Sequence, residues 1–151
     1  MSEDQVARNL KGMDDLDFTG WNNADWDGVF SAHHTADVLV DWKGQEPTHG
    51  IEQHIAAMKA YVESAGGTPP QITSHPIAFG SGEWTCVIGE FEGGGRMVTV
   101  AKWRDGAIAE DTSGSSRRNI EPSKRVVNIS LSDARPSWTE RSRTPMRWVC
   151  Q

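Results

Sequence analysis

At 151 residues, 36% of them hydrophobic, the chain has the length of one domain with a buried core. No apolar run approaches a membrane span, and the opening Met1-Ser2-Glu3-Asp4 has neither a basic nor an apolar leader region, so no signal peptide is expected and a cytoplasmic protein is predicted. The net charge of −6 conceals two pieces, seven Lys/Arg against eighteen Asp/Glu up to Asp111 and eight against three beyond it, so the reading divides the chain into a domain over 1–111 and a basic, Ser/Arg-rich extension over 112–151 that matches no specific nucleic-acid module.

Val6, Leu10 and Met13 fall at helical spacing between Ser2 and about Phe18, and Asp17 and Trp21 continue the same stripe. Asn23 is placed to cap a short second helix, in which Trp26, Val29, Phe30 and His33 share a face. A strand follows over Val38 to Trp42, then the polar turn Lys43-Gly44-Gln45. Thr48 is placed to cap a helix from about Gly50, with Ile51, His54, Ile55, Met58, Tyr61 and Val62 on one face. That helix stops at Gly66-Gly67, and Pro69-Pro70 cannot continue it.

Three strands are predicted over Gln71–Phe79, Glu83–Glu92 and Arg96–Trp103, separated by Ser81-Gly82 and Gly93-Gly94-Gly95. Arg104-Asp105-Gly106 then turns into a last strand from Ala107. Alternation puts Thr85, Val87, Gly89 and Phe91 on one face of the middle strand and Trp84, Cys86, Ile88 and Glu90 on the other. Both faces carry apolar residues, so one is expected to face a pocket and the other a second copy of the chain, a homodimer. Beyond Glu110-Asp111 the grammar breaks, the last strand is expected to be shortened, and only Arg125–Leu131 alternates. Hairpins after helices imply an α+β fold.

The residues that could carry chemistry are few. Asp41 closes the apolar alternation Val38-Leu39-Val40 at a strand end, with His49 and His54 following. His54 lies on the apolar face of its helix. His75 precedes Pro76 on a strand, which marks an edge or a bulge. The two cysteines, Cys86 and Cys150, have no metal spacing and read as free thiols, and no metal-ligand motif surrounds His49 and His54. The competing reading of Asp41 is a solvated carboxylate over the turn amides.

The order Asp25-Trp26-Asp27-Gly28-Val29-Phe30, Asp37-Val38, Asp41, Pro47-Thr48-His49-Gly50 and Arg104-Asp105-Gly106-Ala107-Ile108 resembles the SnoaL-like polyketide cyclase family within the nuclear transport factor 2-like superfamily. The resemblance implies a cone-shaped fold, a curved, antiparallel-rich mixed sheet wrapping N-terminal helices around a pocket. It also implies cofactor-independent acid/base chemistry on a small hydrophobic carbonyl compound, an aldol-type cyclisation or an isomerisation. Val-Asp-Trp-Lys-Gly-Gln-Glu-Pro-Thr-His-Gly is similar to the steroid isomerase pattern around its base, which would make Asp41 the base and His54 an acid or orienting group. Asp17, Trp42, His75, Val87 and Phe91 are the expected substrate contacts. The isomerase oxyanion hole of Tyr and protonated Asp is not reproduced, because the Tyr position falls on Asp17 and the acid position near Thr99. A ligand-binding or dimerisation domain without catalysis is the alternative. Epoxide hydrolysis comes third, since Arg8, Arg96 and Arg104 stand beside no second acid on one strand face.

Overall fold

The structure, a computed structural model, describes residues 3–116; the Arg125–Leu131 stretch and Cys150 lie outside them. Helix α1 (Glu3–Asp14) forms on the Val6, Leu10, Met13 stripe and buries Met13 at 1% exposure. From Asp15 to Trp21 the chain widens into π-helical turns, in which the Asn22 N–H reaches back to the Asp17 carbonyl and that of Asp25 to Gly20. A second π-helical turn, Trp26–Phe30, is capped by Asp25, whose carboxylate accepts from the Val29 N–H at 2.9 Å; Asn23 does not cap it.

Six strands form one sheet: β1 His34–Trp42, β2 Thr48–His49, β3 Ile72–Ser81, β4 Trp84–Phe91, β5 Arg96–Arg104 and β6 Ala107–Ser116. Their order is β2-β1-β6-β5-β4-β3, with β1 and β6 parallel and every other pair antiparallel. The sheet curls over the helices without closing, the expected cone-shaped α+β arrangement. Thr48 belongs to β2 rather than to a helix cap, and helix α2 (Ile51–Ser64) starts from Gly50 at φ +87°. It buries His54, Met58 and Val62 as its apolar face predicts. The Gly67 N–H closes its end on the Val62 carbonyl at 2.9 Å.

The inner face of the sheet carries Val38, Val40 and Trp42 from β1, Thr85 and Val87 from β4, and Thr99, Ala101 and Trp103 from β5, all buried. The Trp103 indole donates to the Thr85 hydroxyl at 2.8 Å, which satisfies both polar groups inside the core. Asn22 fastens the helical layer to edge strand β3: its side-chain amide donates to the Ile72 carbonyl and accepts from the Ile72 N–H, both at 2.8 Å. Losing this double bond would strand two buried backbone groups, at about 1–3 kcal/mol each.

Two irregularities decide which side chains enter the interior. In β3, Ser74 faces Glu90 and Ile77 faces Ile88, so His75 and Pro76 together oppose Gly89. This bulge, on an edge strand that needs no Pro N–H, matches what the His75-Pro76 pair predicts. In β6, Lys102 faces Glu110 but Trp103 faces Ile108, which leaves Ala109 as an extra residue. β6 also runs on through Asp111 to Ser116, pairing Thr112 to Ser116 with β5. The expected shortening of the last strand is therefore corrected, and the 1–111 boundary falls inside a strand.

Candidate active site

Between the helices and the inner face lies a cavity of about 50 Å³. Its apolar wall is Met13, Met58, Met97, Trp21 and Trp42; its polar groups are Asp17, His34, His54, Asp111 and the Thr99–Ser113 hydroxyl pair. At roughly 10–15 Å³ per water position the space holds a few waters. Methionine side chains, unbranched and flexible, form much of its boundary.

Asp17 reaches the cavity because the π-helical turns add a residue to the turn and bring Leu16, Asp17 and Trp21 inward together. Its side chain is 9% exposed. Burial pushes its carboxyl above the ordinary range, and the hydrogen bond from His75 pulls it back in part. His75 Nε2 lies 2.9 Å from Asp17 Oδ2, and Nδ1 lies 2.7 Å from Asp14 Oδ1. Burial lowers the imidazole's proton affinity, but the two carboxylates outweigh it and the net direction is upward.

Asp111 enters because of the Ala109 bulge. Ala101, fully buried on the inner face, pairs with Asp111, so its side chain points inward. Burial pushes its carboxyl up to about 7, against the Ser113 hydroxyl that donates to it at 2.5 Å, and the Asp17 charge adds to the rise. Two carboxyls of unlike surroundings thus face one cavity and titrate as a pair. Asp17 has an imidazole donor in His75, and Asp111 has a hydroxyl donor in Ser113.

The two cavity histidines are neutral. His34 donates from Nδ1 to the Phe30 carbonyl at 2.7 Å, which leaves its other nitrogen an acceptor, and burial pushes the ring down to about 4. His54 stacks on Phe30, lies with Nδ1 3.4 Å from the Thr48 hydroxyl, and is pushed down by burial to about 3. His34 starts β1 and lines the cavity, while His33, at the end of the preceding helical turn, borders a separate surface groove beside α1.

Of the residues singled out in the sequence, Asp17, Trp42 and His54 line the cavity. Asp41 does not. Val40 and Trp42 point inward, so Asp41 points out, where it shares the outer surface with Leu39 and His49. Its side chain is 45% exposed and 2.6 Å from the Lys43 ammonium. Asp41 and His54 therefore stand on opposite sides of the sheet and share no cavity. His75 reaches the cavity only through Asp17. Val87 is a core residue and Phe91 packs against the core, without lining the cavity. Arg96 pairs with Glu90 and Arg104 with Asp37 on the outside, so neither supplies an acid–Arg–acid relay.

No protein-family model and no curated protein sequence matches the chain. Solved structures do. A protein from Jannaschia sp. assigned to the SnoaL-like polyketide cyclases superposes with a TM-score of 0.64 at 18% identity, over 77% of this chain and 91% of that one. A nuclear transport factor 2-like protein from Anabaena variabilis gives 0.64 at 16%, over 77% and 92%. A protein from Kribbella flavida assigned as a ketosteroid isomerase gives 0.61 at 18%, over 91% and 96%. Identities this low carry the architecture and leave the chemistry to the residues: the chain has the nuclear transport factor 2-like fold of the SnoaL-like proteins.

Proposed function

We propose that this domain takes a small carbonyl compound into the inner cavity and moves a proton next to its carbonyl group, with no cofactor. The observation that carries the reading is the pair Asp17 and Asp111, two carboxyls facing one cavity, one held by an imidazole and the other by a hydroxyl. Asp17, ionised beside His75, takes the proton from the carbon α to the carbonyl; the C–H bond breaks and an O–H bond forms on Asp17. The electron pair moves onto the carbonyl oxygen, and protonated Asp111 donates a hydrogen bond, or its proton, to that oxygen. Return of the Asp17 proton to another carbon completes an isomerisation; attack of the enolate carbon on a second carbonyl forms the C–C bond of an aldol-type ring closure, and the Asp17 proton passes to the new alkoxide oxygen. His34, whose free nitrogen is an acceptor, orients a substrate hydroxyl.

The cavity's small volume selects the probe. Loss of deuterium from acetone-d6 in water, followed by proton NMR, reads enolisation directly. Asp17→Asn should lower the catalysed rate by roughly 10²–10⁴-fold, the usual worth of one acid/base group. A full rate in Asp17→Asn ends the assignment of the base.

A second reading, ligand binding without catalysis, is favoured by the same small volume and by the Met and Trp side chains that fill the space. Quenching of Trp fluorescence by a small ketone with no deuterium loss above background would support it. We also propose a homodimer through the outer face, where Ile77, Phe79, Trp84 and Val98 are exposed side by side across β3, β4 and β5.

A further inference from the structure

His75 does not itself line the cavity but touches Asp17, which does. The β3 bulge turns its ring toward the helices, and it packs on Phe18 with ring centroids 4.5 Å apart. Gly89 lies beside the ring, where a Cβ would meet the imidazole at an ordinary 3.6–3.8 Å and Ile72 Cγ2 more tightly at 3.3 Å. The ring's two nitrogens then bridge two carboxylates from one helical segment, Asp14 from α1 and Asp17 from the π-helical turns, at 2.7 and 2.9 Å. The side chains grade from the surface inward, Asp14 at 52% exposure and His75 and Asp17 at 5% and 9%.

A carboxylate only accepts hydrogen bonds, so two of them on one imidazole require both nitrogens to donate. We propose that Asp14, outside the cavity, is a positioning residue for the base: its carboxylate holds the His75 ring with both nitrogens protonated, and the ring in turn holds Asp17 ionised and turned into the cavity. The inference rests on the reading of Asp17 as the base. Without Asp14 the ring has one carboxylate to serve, keeps its Nδ1 proton toward the surface and offers Asp17 a bare Nε2. Asp17 then answers as a protonated acid, donating to that nitrogen.

The groups that face Asp17 set the sign of the effect. They are His75 from β3, Asp14 from α1 and Asp111 from β6, with Gly89 of β4 contributing no side chain. Were Asp14 merely a neighbouring negative charge, its removal would make Asp17 easier to ionise. Acting through His75, its removal makes Asp17 harder to ionise, because a direct imidazolium contact outweighs a more distant carboxylate.

The test is carbon-13 NMR of the Asp17 carboxyl and nitrogen-15 NMR of His75 in the whole protein, across pH. In the wild type both His75 nitrogens should carry protons at neutral pH. In Asp14→Asn one should be bare, and at the pH where wild-type Asp17 is half ionised the ionised fraction should fall to roughly a tenth, the effect of losing one adjacent opposite charge. Asp14→Glu should restore both signals. An Asp17 titration that moves to lower pH in Asp14→Asn, or does not move, overturns the proposal, as does a wild-type His75 with one bare nitrogen at neutral pH. Neither readout depends on turnover. Deuterium loss from acetone-d6 in Asp17→Asn separately decides the base, so the failure of one idea is distinguishable from the failure of the other.

Discussion

Replacing Asp111 by Asn gives the sharpest test of the inward-facing acid. At low pH the wild-type carboxyl is protonated, and Asn is nearly its equal in shape and can accept the same Ser113 hydrogen bond. As pH rises the unfolded chain ionises Asp111 near the ordinary 3.8, whereas the folded protein holds the proton to about 7. The folded state therefore binds more protons over that window, so the wild type loses stability from about pH 4 to pH 7 and then levels off. That interval is worth roughly 4 kcal/mol at about 1.36 kcal/mol per pKa unit, and the partial exposure of this strand position lowers the expectation to about 2–4 kcal/mol. Asp111→Asn has no such loss. Urea unfolding of both proteins at intervals between pH 4 and pH 8 should give a difference near zero at the acid end that grows in favour of Asn to this size. Contributions from the other titrating groups fall on both proteins and largely cancel in the difference. A difference independent of pH, or an Asn protein less stable than wild type at pH 8, would refute the buried-acid assignment.

The cavity histidines predict the opposite slope. His54 and His34 are held at about 3 and about 4 against an ordinary 6.5, so their contribution is complete above pH 6.5 and is lost as pH falls toward those values. Between pH 7 and pH 4.5 the stability lost by His54→Phe should be smaller than the wild type's loss by about 2 kcal/mol, and equal losses would show that His54 is not a buried neutral ring. On the outer face, Phe79 is 60% exposed, so Phe79→Glu should leave the fold intact and convert a micromolar dimer into a monomer by sedimentation velocity. A monomeric wild type at that concentration would remove the interface.

The fold was legible because its signals are periodic. The α2 face, the alternation in β1, β4 and β5, and the glycine stop at Gly66-Gly67 each repeat one physical rule over several residues. Asp41 could have been set aside on that same rule: if Val38, Val40 and Trp42 go in, the acid between them goes out.

The groups on which the proposed chemistry rests were unevenly legible: Asp17 and His75 stand out in the sequence, whereas Asp111 enters the interior where a period breaks. Asp17 and Trp21 continue the Met13 stripe inward, through π-helical rather than α-helical turns. His75 turns inward at a two-for-one bulge against Gly89. Asp111 depends on parity most of all. From buried Ile108, simple alternation sends Glu110 inward and Asp111 to solvent; the extra residue at Ala109 exchanges them, so that Glu110 meets Lys102 outside and Asp111 meets Ala101 inside. A bulge is a property of two strands in register, and its signature in one strand's sequence is slight, here no more than His75-Pro76 in one case and nothing in the other. Such breaks also leave backbone and side chains freer to be aimed than a regular ladder does. An acid placed by such a break is one that periodicity cannot reveal, and Asp111 can be found only by asking which carboxyls the completed sheet has turned away from water.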